Sequence, residues 1–287
     1  MGIDLDSYRK ESLENWNRTA AGWETRREWV MSATAPVTNW LVEKIDAQPG
    51  ETVLEIAAGT GDLGLRIAQQ LGSEGRVLST DFAPGMLDVA RRQGSSLGIE
   101  NVDYLVLDAE KMDLEDGSVD AAVCRFGYML MADPAAALGE TRRVLRDGGR
   151  LAFAVWSTAD RNPWAAVAGM TLVKLGYMPP PEQGAPGVFA LGDPSRIREL
   201  VTGAGFSEPE IEEIAFEYRY ADADDYWDSI LRLAGSLARL VGDLSQDQRK
   251  ATRDAIQENL APYRNDDGSY TASAMSWGVF ASRNEPA

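Results

Sequence analysis

Apolar positions recur along this chain with two different periods, and the changes between them outline its elements. Residues 6 to 32 carry Trp16, Trp23 and Val30 at intervals of seven, which puts all three on one helix face. A second helix follows Pro36, runs through Trp40 and Leu41 to Ile45, and stops before Pro49-Gly50. From there short β-branched runs alternate with helical ones. Strands are predicted at 52–56, 76–80, 102–106, 119–124 and 151–156, with helices over 63–71, 84–97 and 134–145 interleaved. The last of these helices ends at a turn signal, Asp147-Gly148-Gly149. That rhythm argues a parallel, doubly wound sheet.

Beyond Trp156 the rhythm breaks. Asn162-Pro163-Trp164 opens a helix ending near Tyr177, and the Pro- and Gly-rich stretch 178–192 reads as a loop. Asp193 caps a helix whose first turn holds Pro194 and which ends at Gly205. Residues 209–220 alternate as a strand. Residues 222–262 read as helical, with Tyr226, Ile230, Leu233, Leu237 and Leu240 on one stripe. The stretch 270–281 reads as a final strand suited to antiparallel pairing with the one before it. The expected fold is α/β: a Rossmann-like, doubly wound, mostly parallel seven-stranded sheet whose last strand is antiparallel, with helical N-terminal and inserted cap elements. The expected segments are an N-terminal helical cap (1–36), a ligand-binding core (37–158), a cap insertion (159–192), a core helix and strand (193–221), a second helical insertion (222–265) and the final core strand (266–287). The second insertion could equally serve as the surface of a homodimer.

Composition narrows the chemistry. The 287 residues carry 28 basic and 45 acidic side chains, a formal charge of −17. Such a surface repels phosphate backbones, so no nucleic-acid partner is expected. The arginine pairs at 26–27, 91–92 and 142–143 are scattered and form no basic tract. There is no histidine, which excludes Ser-His and Cys-His nucleophile systems and removes the commonest metal ligand; no metal is expected. The single cysteine, Cys124, sits in an apolar strand and reads as a buried thiol. The N-terminus lacks a basic, then apolar leader, and no apolar run is long enough to span a bilayer, so a cytoplasmic protein is expected.

Four motifs carry the candidate chemistry. Glu55-Ile56-Ala57-Ala58-Gly59-Thr60-Gly61 sits at a strand-to-helix junction, where glycines let the backbone approach a ligand. Asp81 ends the second strand, where an acid can accept both hydroxyls of a ribose. Asp108-Ala109 ends the third strand, where a carboxylate can take an adenine amino group or simply cap a turn. Glu55 itself ends the first strand. An acid there suits a cationic ligand bearing an ammonium and a sulfonium, whereas a pyrophosphate would set negative charge beside it. Gly59, Gly61 and Gly64 also spell the dinucleotide pattern GxGxxG, which by itself is weak evidence.

These motifs, with Thr80-Asp81-Phe82-Ala83-Pro84-Gly85-Met86-Leu87 and Arg142-Arg143-Val144-Leu145-Arg146-Asp147-Gly148-Gly149, resemble the class I S-adenosylmethionine (SAM)-dependent methyltransferases. The likeness covers about residues 37–158 and is greatest to the branch containing the ubiquinone and menaquinone C-methyltransferases. The resemblance implies SAM as cofactor. It implies that backbone around Ala57, Gly59, Thr60 and Gly61 holds the methionine portion. Asp81 would bind the ribose, with Phe82 and Met86 against the adenine; Asp108 and the Ala109 N–H would meet the adenine edge. Arg125 would offer its carbonyl to the methionine ammonium. Ala57 stands where the family usually has its first glycine, and Asp147 where a proline usually precedes Gly-Gly.

The methyl acceptor is expected to be a small, apolar or aromatic molecule, held by Tyr8, Trp16, Trp23, Tyr128, Met129, Trp156 and Trp164; core packing is the alternative for each. No catalytic base is singled out. Two rival functions stay open: an NAD-binding oxidoreductase, which shares the glycine pattern and the acid after the second strand, and a non-catalytic methyltransferase-like partner subunit.

Overall fold

The structure is a computed structural model that describes residues 4–182 and 184–284; the outermost positions of segments 1–36 and 266–287 lie outside the described residues. Helix α1 (Leu5–Ala33) starts at Asp4, whose side chain accepts from the Asp6 and Ser7 N–H groups. It meets α2 (Ala35–Ile45) at Thr34, whose hydroxyl donates back to the Val30 carbonyl. Strands β1 (Thr52–Ile56), β2 (Arg76–Asp81) and β3 (Val102–Val106) follow, with α3 (Asp62–Leu71) and α4 (Pro84–Ser96) between them. Next come β4 (Val119–Arg125), α5 (Pro134–Val144), β5 (Leu145–Trp156), α6 (Pro163–Lys174) and α7 (Pro194–Gly203). Strand β6 (Glu210–Tyr220), helices α8 (Ala223–Leu233), α9 (Gly235–Asp243) and α10 (Gln246–Asn259), and strand β7 (Tyr270–Ser282) complete the chain.

The seven strands form one sheet in the order β3-β2-β1-β4-β5-β7-β6, and β7 alone runs antiparallel to its neighbours. The chain winds outward from β1 through β2 to β3, then returns to the far side of β1 with β4. That reversal opens a crevice at the carboxyl ends of β1 and β4, where doubly wound sheets place their ligands. Strands β1 and β4 are buried nearly throughout because α2 and α3 cover the sheet.

Two boundaries differ from expectation. Strand β5 begins at Leu145, which pairs with Val119 ahead of a register shift; Gly148, at φ 72°, lets the strand bulge where a free turn was expected. The continuous helical stretch at 222–262 is three helices. It breaks at Ala234, and again at Ser245, which caps α10 in a capping box with Gln248.

Candidate active site

After β1 the chain passes through Ala57 (φ 52°), Gly59 (φ 56°) and Gly61 (φ 77°) before entering α3. Ala57 thus adopts a left-handed conformation that strains any side-chain-bearing residue. A second outlier, Phe126 (φ 64°), follows β4. The strands pair as Glu55↔Val123 and Ile56↔Cys124, so both strained residues flank one point of the crevice. Gly127 sits between them: a Cβ there would press on the Ala57 methyl and the Cys124 sulfur. Strain held at a strand terminus by surrounding packing is characteristic of functional sites.

Asp81 joins the glycine loop to the next element. Its Oδ2 accepts from the Gly59 N–H and its Oδ1 from the Ala83 N–H, both at 2.9 Å. Burial pushes its carboxyl up to about 6, against the lowering effect of these N–H groups. A Cβ on Gly59 would meet nothing within 4 Å, so the loop faces open space.

Glu55 has a different place from the one expected. It is 2% exposed and lies beneath the loop, its Oε1 accepting from the Gly64 N–H (2.8 Å) and its Oε2 from the Ser79 hydroxyl (2.7 Å). With an N–H and a hydroxyl already on its oxygens, it braces the loop from behind; this replaces the direct ligand contact. Burial, outweighing those two hydrogen bonds, pushes its carboxyl up to about 7 from an ordinary 4.5. A folded state that holds the proton more tightly than the unfolded one is favoured below about pH 4.5, and that advantage is lost as pH rises through 7. The shift corresponds to about 3 kcal/mol. Denaturant unfolding between pH 5 and 8 should therefore show stability falling with pH, and Glu55→Gln, which keeps an acceptor for Gly64, should flatten the slope. An unchanged slope would assign it to other groups.

The start of α3 is crowded with further carboxylate. Asp62 is buried, accepts from the Thr60 hydroxyl at 2.6 Å, and pairs with Arg27 of α1 at 2.5 Å. Helix N-termini attract anions, but here Glu55 and Asp62 already occupy this one.

The remaining cofactor candidates are placed as follows. Asp108 is exposed, and its Oδ1 accepts from the Glu110 N–H, the turn-capping arrangement; Ala109 lies half-buried beside it. Phe82 is half-buried, while Met86 is fully buried against Ala20 of α1. Arg125 directs its side chain away from the loop, to the α1–α2 junction.

The acceptor candidates divide. Tyr128 and Met129 belong to the core, a correction with a clear cause. Tyr128 has no exposed surface, bonds Thr141 and packs edge-on to Phe153, and the Met129 sulfur accepts from the Trp156 N–H. Trp16 and Trp23 pack together on α4, with the Trp23 indole bonded to the Leu233 carbonyl. Tyr8 donates to the Leu130 carbonyl at 2.7 Å, and neighbouring Arg9 pairs with Glu110. These contacts tie α1 to the loops after β3 and β4. Trp156 and Trp164 do come together, at 4.6 Å. Sequence reasoning missed their companions: Phe126, stacked on Trp156 at 4.0 Å, and Tyr218, 4.9 Å from Trp164 and 5.1 Å from Trp29. The period-two run Phe216, Tyr218, Tyr220 was the available signal, since it puts three rings on one face of β6.

Comparison with known proteins bears on this arrangement. Residues 37–168 match the family model described as the ubiE/COQ5 methyltransferase family. The chain is 35% identical over 165 residues to a demethylmenaquinone methyltransferase of Thermus thermophilus, a match covering 54% of this chain and 74% of that protein. It is 31% identical over 147 residues to the aklanonic acid methyltransferase DauC of a Streptomyces species, covering 51% of this chain and 66% of that one. A SAM-dependent methyltransferase from Aquifex aeolicus shares the fold, with a TM-score of 0.51 at 16% identity over 86% of this chain and 89% of that structure.

Proposed function

This chain belongs to the ubiE/COQ5 methyltransferase family and is a methyltransferase with SAM as its cofactor; from that premise we propose that it methylates a small, flat, apolar or aromatic acceptor. The observation that carries the acceptor class is the aromatic cluster of Phe126 after β4, Trp156 at the end of β5, Trp164 in the first turn of α6 and Tyr218 on β6, in which Phe126 and Trp164 are half-buried and Trp156 and Tyr218 are buried behind them. Two of the relatives are named for a demethylmenaquinone and for aklanonic acid, which agrees with a small-molecule acceptor.

The residues present fit SAM better than a dinucleotide. The N-terminus of α3, where a pyrophosphate would have to bind, is already occupied by the chain's own carboxyl groups, Glu55 on the Gly64 N–H and Asp62 beside Thr60. Each Asp81 oxygen accepts one backbone N–H and has a lone pair left for a ribose hydroxyl. The open face of Gly59 leaves room for a ligand to approach the backbone. In this reading Asp108 and Ala109 would meet the adenine edge, with Phe82 flanking it, and the Arg125 carbonyl would receive the ammonium.

When bound, SAM supplies a methyl group already activated by its sulfonium. The chain's part is then to align the acceptor and exclude water. Alignment alone contributes roughly 7–11 kcal/mol in favourable cases. With no histidine in the chain, a positioned acceptor suits this protein better than a general base. Helix α1 shields the crevice through its ties to Glu110, Leu130 and Asp62. No helix among the described residues is long and apolar enough to cross a membrane; a cytoplasmic setting is part of this reading, supported by a lone buried cysteine.

Calorimetric titration with SAM, S-adenosylhomocysteine and NADH tests the site. Binding of either sulfur ligand with no heat from NADH is expected. Binding of NADH instead would return the oxidoreductase reading. Turnover of SAM with any flat aromatic acceptor would separate an enzyme from a partner subunit.

A further inference from the structure

Arg125 ends β4, and it differs from the arginines nearby on α1. Arg26 pairs with Asp225 and Arg27 with Asp62, whereas Arg125 has no carboxylate within ion-pair distance among the described residues. Only its Nη1 is engaged, donating to the Thr38 hydroxyl at 2.8 Å and, at longer range, to the Thr34 hydroxyl (3.4 Å) and the Met31 sulfur (3.6 Å). These neutral acceptors fix the head group without neutralising it. Its Nε and Nη2 meet no acceptor among the described residues. A half-buried cation with no direct carboxylate partner is costly, and the buried Glu55 carboxyl feels this one only through space.

Tyr218 lies nearby, against Trp29 on the same helix whose Met31 meets Arg125. It is 4% exposed, and its hydroxyl has no hydrogen-bond partner among the described residues, although it is not one of the sealed polar atoms. The Arg125 guanidinium lies close enough to oppose, through space, the burial that pushes this hydroxyl up. Around the pair stand Trp29, Trp164 and the Phe126–Trp156 stack.

We propose that Arg125 and Tyr218 together form a receptor for an anionic oxygen carried by a flat, conjugated acceptor whose ring lies against Phe126 and Trp164. The acceptor class is a planar oxyanion: a phenolate, enolate or carboxylate attached to a ring. The guanidinium supplies the missing counter-charge relation, and the hydroxyl supplies a second donor. This deepens the acceptor side of the function proposed above and rests on it. The charge-assisted bonds fix where the ring sits, and so which of its atoms faces the methyl donor.

The test uses the full chain saturated with S-adenosylhomocysteine, with 2-naphthoate as the anionic probe and 2-naphthamide as its neutral match in shape. Naphthoate should bind at least tenfold more tightly. Arg125→Gln should abolish the preference, and Tyr218→Phe, which keeps the ring, should reduce it several-fold. Equal affinities, no binding of either probe, or a preference that survives Arg125→Gln would overturn the proposal. Should Arg125→Gln fail to fold, an unchanged preference in Tyr218→Phe would overturn it as well. Failure of the wild-type chain to bind S-adenosylhomocysteine at all is a separate result, and it would sink the methyltransferase site itself.

Discussion

Exchange of Asp81 for alanine is expected to weaken SAM binding by roughly a hundredfold to a thousandfold, the loss of two hydrogen bonds to a charged acceptor at about 1.5–3 kcal/mol each, partly offset by water. The Gly59 and Ala83 N–H groups would lose their acceptor at the same time, so the loop that faces the ligand would loosen as well. The pH dependence gives an independent check. Ribose hydroxyls donate to the ionised carboxylate, and burial holds that carboxyl at about 6. Affinity in the wild-type protein should therefore fall as pH drops through 6, while the alanine variant should show a flat profile over the same range. Calorimetry from pH 5 to 8 reads both effects. An alanine variant that binds SAM as tightly as the wild type would remove Asp81 from the ribose site.

Gly64→Ala should be the most damaging small substitution in the loop. A Cβ at this position would run into the Glu55 carboxylate, which is buried and pinned by the Gly64 N–H and the Ser79 hydroxyl. Forcing it aside strands a buried acid and disturbs the first turn of α3. Overpacking of this kind costs about 3 kcal/mol. For a chain of this size that is roughly a 5 °C fall in the unfolding midpoint. Scanning calorimetry would show it, and a midpoint within a degree of wild type would mean that Glu55 has freedom the packing does not reveal. Pairing Gly64→Ala with Glu55→Ala should recover part of the loss, since the obstacle is then gone.

Much of the framework was legible from period alone. Short apolar runs separated by helical ones identify a doubly wound sheet, and the strand-end positions of Asp81 and Asp108 follow from it. Side-chain direction was less accessible. Tyr128 looked like an acceptor contact because it follows β4, but the positive φ at Phe126 turns the chain, sending Tyr128 into the core and Phe126 outward onto Trp156. No hydropathy pattern encodes that reversal; the small residue at Gly127 was its only local sign. Glu55 was singled out as a contact for a cationic ligand, yet it is held by Ser79 of the neighbouring strand, a partner that spacing along β1 cannot reveal. Arg125 drew attention for its backbone, whereas its side chain answers to Thr34 and Thr38, nearly ninety residues earlier. Where function depends on contacts across such distances, a single sequence gives the residues but not their pairing.

Helix α1 has a mechanical consequence. At about 1.5 Å per residue, its 29 residues make one long rod. That rod touches Glu110 and Leu130 near its start, α4 along its middle, and Asp62 and Tyr218 near its end. At Thr34 it passes directly into α2, and along its length it also packs against α8 and α9. Because one element makes all of these contacts, the crevice is roofed from its β3 side to its β6 side by a single rigid piece, and a change that shifts α1 at one end is felt at both the cofactor loop and the aromatic cluster.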